Sequence, residues 1–321
     1  MSVTSQLKDP NSPLSTFFAS KRKATLTPII DGVNALLKES ECIIYSTDID
    51  YLMSGGMFGM AFRWWFAPNT DHAWIARMGA EKLHAQAFFD AVIEFGDRDY
   101  AKIPFMSYYL YLFEQMRRTG TAPRSIRAAR GLYEAKLPLL GPSAFSEQQS
   151  NTIHDVDLLF KTIPSVWETL RVQSGDYIPS PTFEGSQDVG GADAFMIYNG
   201  VVWDVKCTKK SAPMTEDLLL QQIAYVLLDY EDEYELHSIG WYFARQRRTI
   251  VLKISSLIRD VKALRKELRE WLHKDAQKRL PPSRSPYPAV DDDDDDFDER
   301  DYYASRYLDL PDDFDDFEFM D

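Results

Sequence analysis

The sequence predicts an α+β protein, and three observations carry that expectation. Apolar residues recur at helical spacing through the first half, from Leu26 to about Arg171. Two short β-rich runs, AFMIY and VVWDVKC, flank the dipeptide Asn199-Gly200, the strongest two-residue signal for a type I′ hairpin. Two further β-rich runs, SIGWYFA and TIVLKI, follow after a helical stretch. The expected layout is a helical domain over residues 1–145, a mixed sheet flanked by helices over 146–280, and a disordered acidic tail over 281–321.

In the helical half, Ile29, Ile30, Val33, Leu36 and Leu37 form one stripe. The segments AWIARMGAEKLHAQAFFDAVIEF, IPFMSYYLYLFEQMRR and VDLLFKTIPSVWETL repeat the pattern without a fixed period. The aromatic clusters Trp64, Trp65, Phe66 and Tyr108, Tyr109, Tyr111 suit core packing, with stacking on unpaired bases as the alternative. In the second half a helix is expected from Thr215 to Tyr230, with Thr215 as its N-cap. A last amphipathic helix is expected from Ser256 to Ala276, with Leu257, Val261, Leu264, Leu268 and Trp271 on one stripe.

The chain has 321 residues, 45% of them apolar, enough to bury a full core. It carries no run of about 18 uncharged apolar residues and no basic-then-apolar leader, so the expectation is a cytoplasmic protein without membrane contact. Cys42 and Cys207 are too few for a disulfide framework and belong to no metal-binding cluster, which makes them reduced core thiols.

The net charge of -14 argues against a nucleic-acid partner until its distribution is read. Residues 291–321 hold 16 acidic side chains against Arg300 and Arg306, which leaves 34 acidic and 34 basic residues in the rest of the chain. The imbalance therefore belongs to the tail, which follows the Pro/Ser stretch LPPSRSPYPAV and opens on six consecutive aspartates. Between Arg245 and Arg279, by contrast, 12 basic residues meet four acidic ones, a stripe suited to phosphate contacts, with Arg245, Arg247 and Arg248 as candidate substrate-binding residues. The acidic tail is expected to contact a basic surface in cis or in trans.

A turn at Asn199-Gly200 sets Asp193 opposite Lys206 and Phe195 opposite Asp204, so Asp193, Asp204 and Lys206 project from one face. The other face carries Ala194, Met196, Tyr198, Val201, Trp203, Val205 and Cys207 and is fit for burial. Hydrolysis of a phosphodiester needs a hard cation, and Mg²⁺ or Mn²⁺ takes oxygen ligands. Asp193 and Asp204 supply carboxylates, the Val205 carbonyl is a candidate third ligand, and Lys206 can orient the water and offset transition-state charge. The plain alternative is a cross-strand ion pair between Asp193 and Lys206, worth about 0.2–1 kcal/mol. Two neighbours favour the site: Gly190 and Gly191 allow a tight turn before Asp193, and Gln221 and Tyr225 share one helical face at i, i+4.

GGAD, a hairpin, WDVK and then QQIAY resemble the RecB-type branch of the PD-(D/E)XK nucleases, and also small bacterial proteins with a GGAD hairpin and an LLDYEDEY helix end. The likeness covers about residues 180–255 and leaves out the helical half. It implies a nuclease-like core, Mg²⁺ or Mn²⁺, DNA as substrate, and catalytic roles for Asp193, Asp204, Lys206, Gln221 and Tyr225. It implies bacterial defence, recombination or repair as the setting, and a protein partner for any motor function. Many members carry an upstream Glu or His on a helix, for which Glu184, Glu168 and His154 are the candidates. A binding module with the same fold, acting through protein partners with its tail as a DNA mimic or regulatory segment, is the alternative.

Overall fold

A computed structural model of the chain describes residues 3–21, 26–67, 74–97, 100–121, 124, 126, 127, 130, 145–172 and 175–279. Before the first strand come α1 (Val3–Lys8), α2 (Pro13–Lys21), α3 (Thr27–Lys38), α4 (Tyr51–Phe66), α5 (Trp74–Lys82), α6 (Gln86–Asp97), α7 (Ile103–Thr119), α8 (Glu147–Lys161) and α9 (Ser165–Val172). Then come β1 (Tyr177–Pro179), β2 (Met196–Tyr198), β3 (Val201–Lys206), α10 (Glu216–Leu228), β4 (Ser238–Phe243), β5 (Arg248–Lys253), α11 (Ile254–Leu257) and α12 (Val261–Arg279). The α+β class and the helical N-terminal part agree with the sequence reading. The acidic tail lies outside the described residues. Among the described residues no helix is long and apolar enough to cross a membrane.

The sheet has five strands in the order β1-β2-β3-β4-β5, antiparallel throughout except for the β3–β4 pair. The β2–β3 turn forms at Asn199-Gly200, whose φ values of 48° and 67° suit a primed turn. Its register, Met196↔Trp203 through Tyr198↔Val201, is the one the sequence predicts. β1 escapes sequence reading because three residues ending on a proline give no alternation to detect. The expected last helix divides into α11 and α12, because the Asp260 carboxylate accepts from the Ala263 amide (2.9 Å) and starts a new helix.

Both faces of the sheet are covered. On one side Met196, Tyr198, Trp203 and Tyr242 pack into a core built from α4 to α9. On the other, Ile197, Val202, Ile239 and Trp241 join residues of α1, α2, α3, α10 and α12. Residues 1–279 form one compact unit, and helices on both sides of the expected 145/146 boundary share a core with the sheet. The aromatic clusters serve this core: Trp64, Trp65, Phe66, Tyr108 and Tyr109 are buried, while Tyr111 is partly exposed.

Candidate active site

The cleft that gathers the candidate residues arises from a departure in strand pairing. β2 pairs with β3 only as far as Met196↔Trp203, whereas β3 stays paired with β4 through Lys206↔Phe243. Before Met196 the chain turns to a different partner: Asp193 bridges Thr182, the Ala194 amide donates to the Pro181 carbonyl (3.0 Å), and the Ser180 amide donates to the Phe195 carbonyl (3.2 Å). The expected pairs Asp193↔Lys206 and Phe195↔Asp204 therefore do not form, because the Ala194 amide, which a continued hairpin would direct at Val205, donates to Pro181 instead. Gly190 and Gly191, at φ 77° and 122°, make the turn that leads in, and the Val3 amide donates to the Gly191 carbonyl (3.2 Å).

The gap is a cleft of about 460 Å³ lined by Asp193, Asp204, Val205, Gln221 and Tyr225, with α4 and α7 forming further wall. Alternation along β3 fixes the direction of Val205. The Lys206 carbonyl accepts from the Ala244 amide (2.9 Å) on the β4 side, so the backbone of Val205 faces the side that β2 has left.

Each carboxylate in the cleft has a cation beside it. Lys206 Nζ lies 2.7 Å from Asp204 Oδ2, and Arg118 Nη2 lies 3.6 Å from Asp193 Oδ2. Arg118 Nε also donates to Glu114 Oε1 at 2.6 Å, an i, i+4 pair on α7. Thus the lysine partners Asp204 rather than Asp193, and an arginine from the helical half takes its expected place. Gln221 Nε2 donates to Tyr225 Oη (2.9 Å) and to Thr4 Oγ1 of α1 (3.1 Å), so the predicted polar pair does share a helical face. Burial raises the Tyr225 pKa far above the usual phenol range, and the negative charge of Asp204 adds to it. Tyr225 is consequently a neutral donor whose hydrogen remains available while its oxygen accepts from Gln221. Burial, with Asp50 and Glu114 nearby, pushes Tyr111 in the same cleft up to about 12.

The donors suit a hard divalent cation in kind. Asp193 and Asp204 both line one cleft, and Val205 turns backbone toward it. Among the described residues no three His, Cys, Asp or Glu side chains are grouped to hold a metal, so the fit is to an ion held by two carboxylates and completed by backbone or water, the usual manner of Mg²⁺.

The upstream candidates lie elsewhere. Glu184 pairs with Arg269 (3.1 Å), Glu168 with Arg171 (3.7 Å), and His154 stacks on Tyr45 with ring centroids 5.4 Å apart. Instead Glu114, Arg118, Arg63 and Ser180 line the cleft. The i, i+4 spacing of Glu114 and Arg118 within the predicted helix was their one sequence signal, and it carried no hint of where the helix would dock.

The substrate-binding assignment of Arg245 is overturned. Its side chain is fully buried and meets Asp155 at 2.6 and 3.0 Å, while also donating to Cys207 and Ile43 carbonyls and to Ser54. All its donor groups are committed to the protein, so no phosphate can reach it. Arg247 sits 3.9 Å from Glu41 and Arg248 donates to Ser40 (2.7 Å), in a separate depression that does not include the candidate residues. Arg265 and Arg269 farther along the stripe are likewise paired with acids. Cys207 is buried and its thiol pKa rises to about 12 through that burial, in keeping with an inert core residue.

Compared with protein-family models, with curated proteins and with solved structures, the chain gives no match.

Proposed function

We propose that this cleft hydrolyses phosphodiester bonds of DNA with the help of a divalent cation, as the resemblance to the PD-(D/E)XK nucleases implies. One observation carries the reading: Asp193, Asp204, Val205, Gln221 and Tyr225, drawn from three separate segments of the sequence, line a single cleft. Asp193 and Asp204 would hold Mg²⁺ or Mn²⁺, whose chemistry there is to polarise a phosphoryl oxygen and acidify a water. Lys206 does not line the cleft but lies beside Asp204, from where it would orient the attacking water and offset the growing negative charge. Tyr225, whose oxygen accepts from Gln221 and whose hydrogen is left over, donates a hydrogen bond to substrate or water, and Gln221 holds it in place.

The test is incubation of linear, circular and single-stranded DNA, and of RNA, with and without Mn²⁺, using the full chain and its Asp204→Asn variant. The expected result is Mn²⁺-dependent cleavage of a DNA form that the variant fails to cut. Cleavage independent of Mn²⁺, or equal in the variant, would sink the assignment. A second reading, a module that binds without hydrolysis, is favoured by the cations already beside both carboxylates. DNA binding with no cleavage of any substrate selects it.

A further inference from the structure

Arg63 is the one charged residue of α4, a helix apolar on nearly every side. It is 8% exposed and lines the cleft. Two other arginines in the described structure are buried as deeply, Arg245 and Arg265, and each faces carboxylates: Asp155 for the first, Asp229 and Asp232 for the second. Arg63 has no ion-pair partner among the described residues. Its Nη1 donates to Ser180 Oγ, its guanidinium stands 5.1 Å from the centre of the Phe195 ring, and its Nε is buried without a hydrogen-bond partner. A desolvated cation in that state is costly, so its retention calls for an anion that is not part of the fold.

Ser180, which Arg63 holds, shares the cleft. It is buried beside the cleft and holds a φ of 44°, a conformation that non-glycine residues adopt at a cost. Because its oxygen accepts from Arg63, its own hydrogen is left to donate. Arg118 adds a second guanidinium to the same cleft, already shared between Glu114 and Asp193.

Building on the reading of the cleft as a nuclease site, we propose that Arg63 and Ser180, with Arg118 nearby, form an anion subsite that holds a phosphate group of the bound strand. The guanidinium offers the terminal N–H groups that it does not spend on Ser180, and the serine its hydroxyl, a donor pair suited to phosphate oxygens. The subsite lies in the same cleft as Asp193 and Asp204, so its role is to fix where the backbone runs past the reacting bond. The cation's place in the last turn of α4 gives a purely structural reading, with the helix dipole as its partner.

Those readings differ in what happens without a ligand. Full-length wild type, Arg63→Gln, Arg63→Lys and Ser180→Ala are compared by melting temperature and by titration with inorganic phosphate and with a DNA oligomer lacking terminal phosphates. The subsite requires that ligand-free Arg63→Gln melt no lower than wild type, since it removes an uncompensated charge. It also requires that oligomer affinity fall about tenfold or more in Arg63→Gln, and less in Arg63→Lys and Ser180→Ala, matching the loss of hydrogen bonds to a charged group. An Arg63→Gln protein that melts well below wild type or fails to fold, or affinities unchanged in Arg63→Lys and Ser180→Ala together, overturns it. Binding of inorganic phosphate but not of the oligomer overturns the strand as the source of the anion. Arg63-dependent oligomer binding with no cleavage under any cation leaves the subsite standing and removes the nuclease reading. Mn²⁺-dependent cleavage whose KM is untouched by Arg63→Gln does the reverse.

Discussion

Arg245 and Arg63 are both buried arginines in contact with the same sheet, yet their surroundings treat them oppositely. Arg245 meets a carboxylate through two nitrogens and spends its remaining donors on two carbonyls and a serine hydroxyl. It joins the end of the β4 segment to α4, α8 and the backbone at Ile43. Arg63 meets one hydroxyl and one aromatic ring, and a donor is left over. A fully satisfied buried cation builds structure, whereas a partly satisfied one beside a cleft is a place for something else to bind. A basic residue in a sequence carries neither meaning until its partners are known.

Removing Asp155 tests the structural end of that contrast most severely. Asp155→Ala leaves Arg245 desolvated without its carboxylate, and denaturant unfolding should show a loss of about 3–5 kcal/mol. A loss below about 1 kcal/mol would mean that water reaches Arg245 and that the pair is not a lock.

The cleft should respond in the opposite way. Asp204→Ala should lower cleavage about 10²–10³-fold, the scale of losing one key electrostatic group. The same change should alter stability by only about 1 kcal/mol or less, because Lys206, 27% exposed, can turn to solvent. A variant that cuts normally, or that unfolds readily, would erase the distinction between lock and site.

A smaller effect is expected at Tyr225→Phe, which deletes one hydroxyl bonded to Gln221 and should raise the barrier or lower stability by about 0.5–1.5 kcal/mol. Mn²⁺ affinity, read by calorimetry, should stay as in the parent, and its loss would move Tyr225 into the ligand set. The smallest effect belongs to Arg248→Ala, where the exposed side chain donates to Ser40 and stability should stay within about 0.5 kcal/mol. Oligomer affinity should also be unchanged. A clear drop would restore Arg248 to the strand-binding surface.

Much of the sheet was legible before the structure. Asn199-Gly200 turns as its residue types require, and the register follows from that turn as far as Met196. Thr215 caps α10 by accepting from the Leu218 amide, and the i, i+4 spacing alone puts Gln221 beside Tyr225. Asp193 was found in the sequence but paired with the wrong cation, because the hairpin rule was carried past the point where residues 180–182 take over the backbone. Nothing local marks that competition. Arg245 was misread for a related reason: a stripe of positive charge looks the same whether its members face solvent or an acid 90 residues away.

By itself, then, the sequence determined what short-range rules control: helix faces, one turn and its register, the cap of α10, and the residue types able to bind a hard cation. Only the tertiary structure decided where β2 leaves β3 and that Glu114, Arg118 and Arg63 from the helical half enter the cleft. The physical reason is range. Periodicity and turn chemistry act over a few residues, while burial and charge pairing depend on which distant surfaces meet, and each meeting changes the cost of every charge it desolvates.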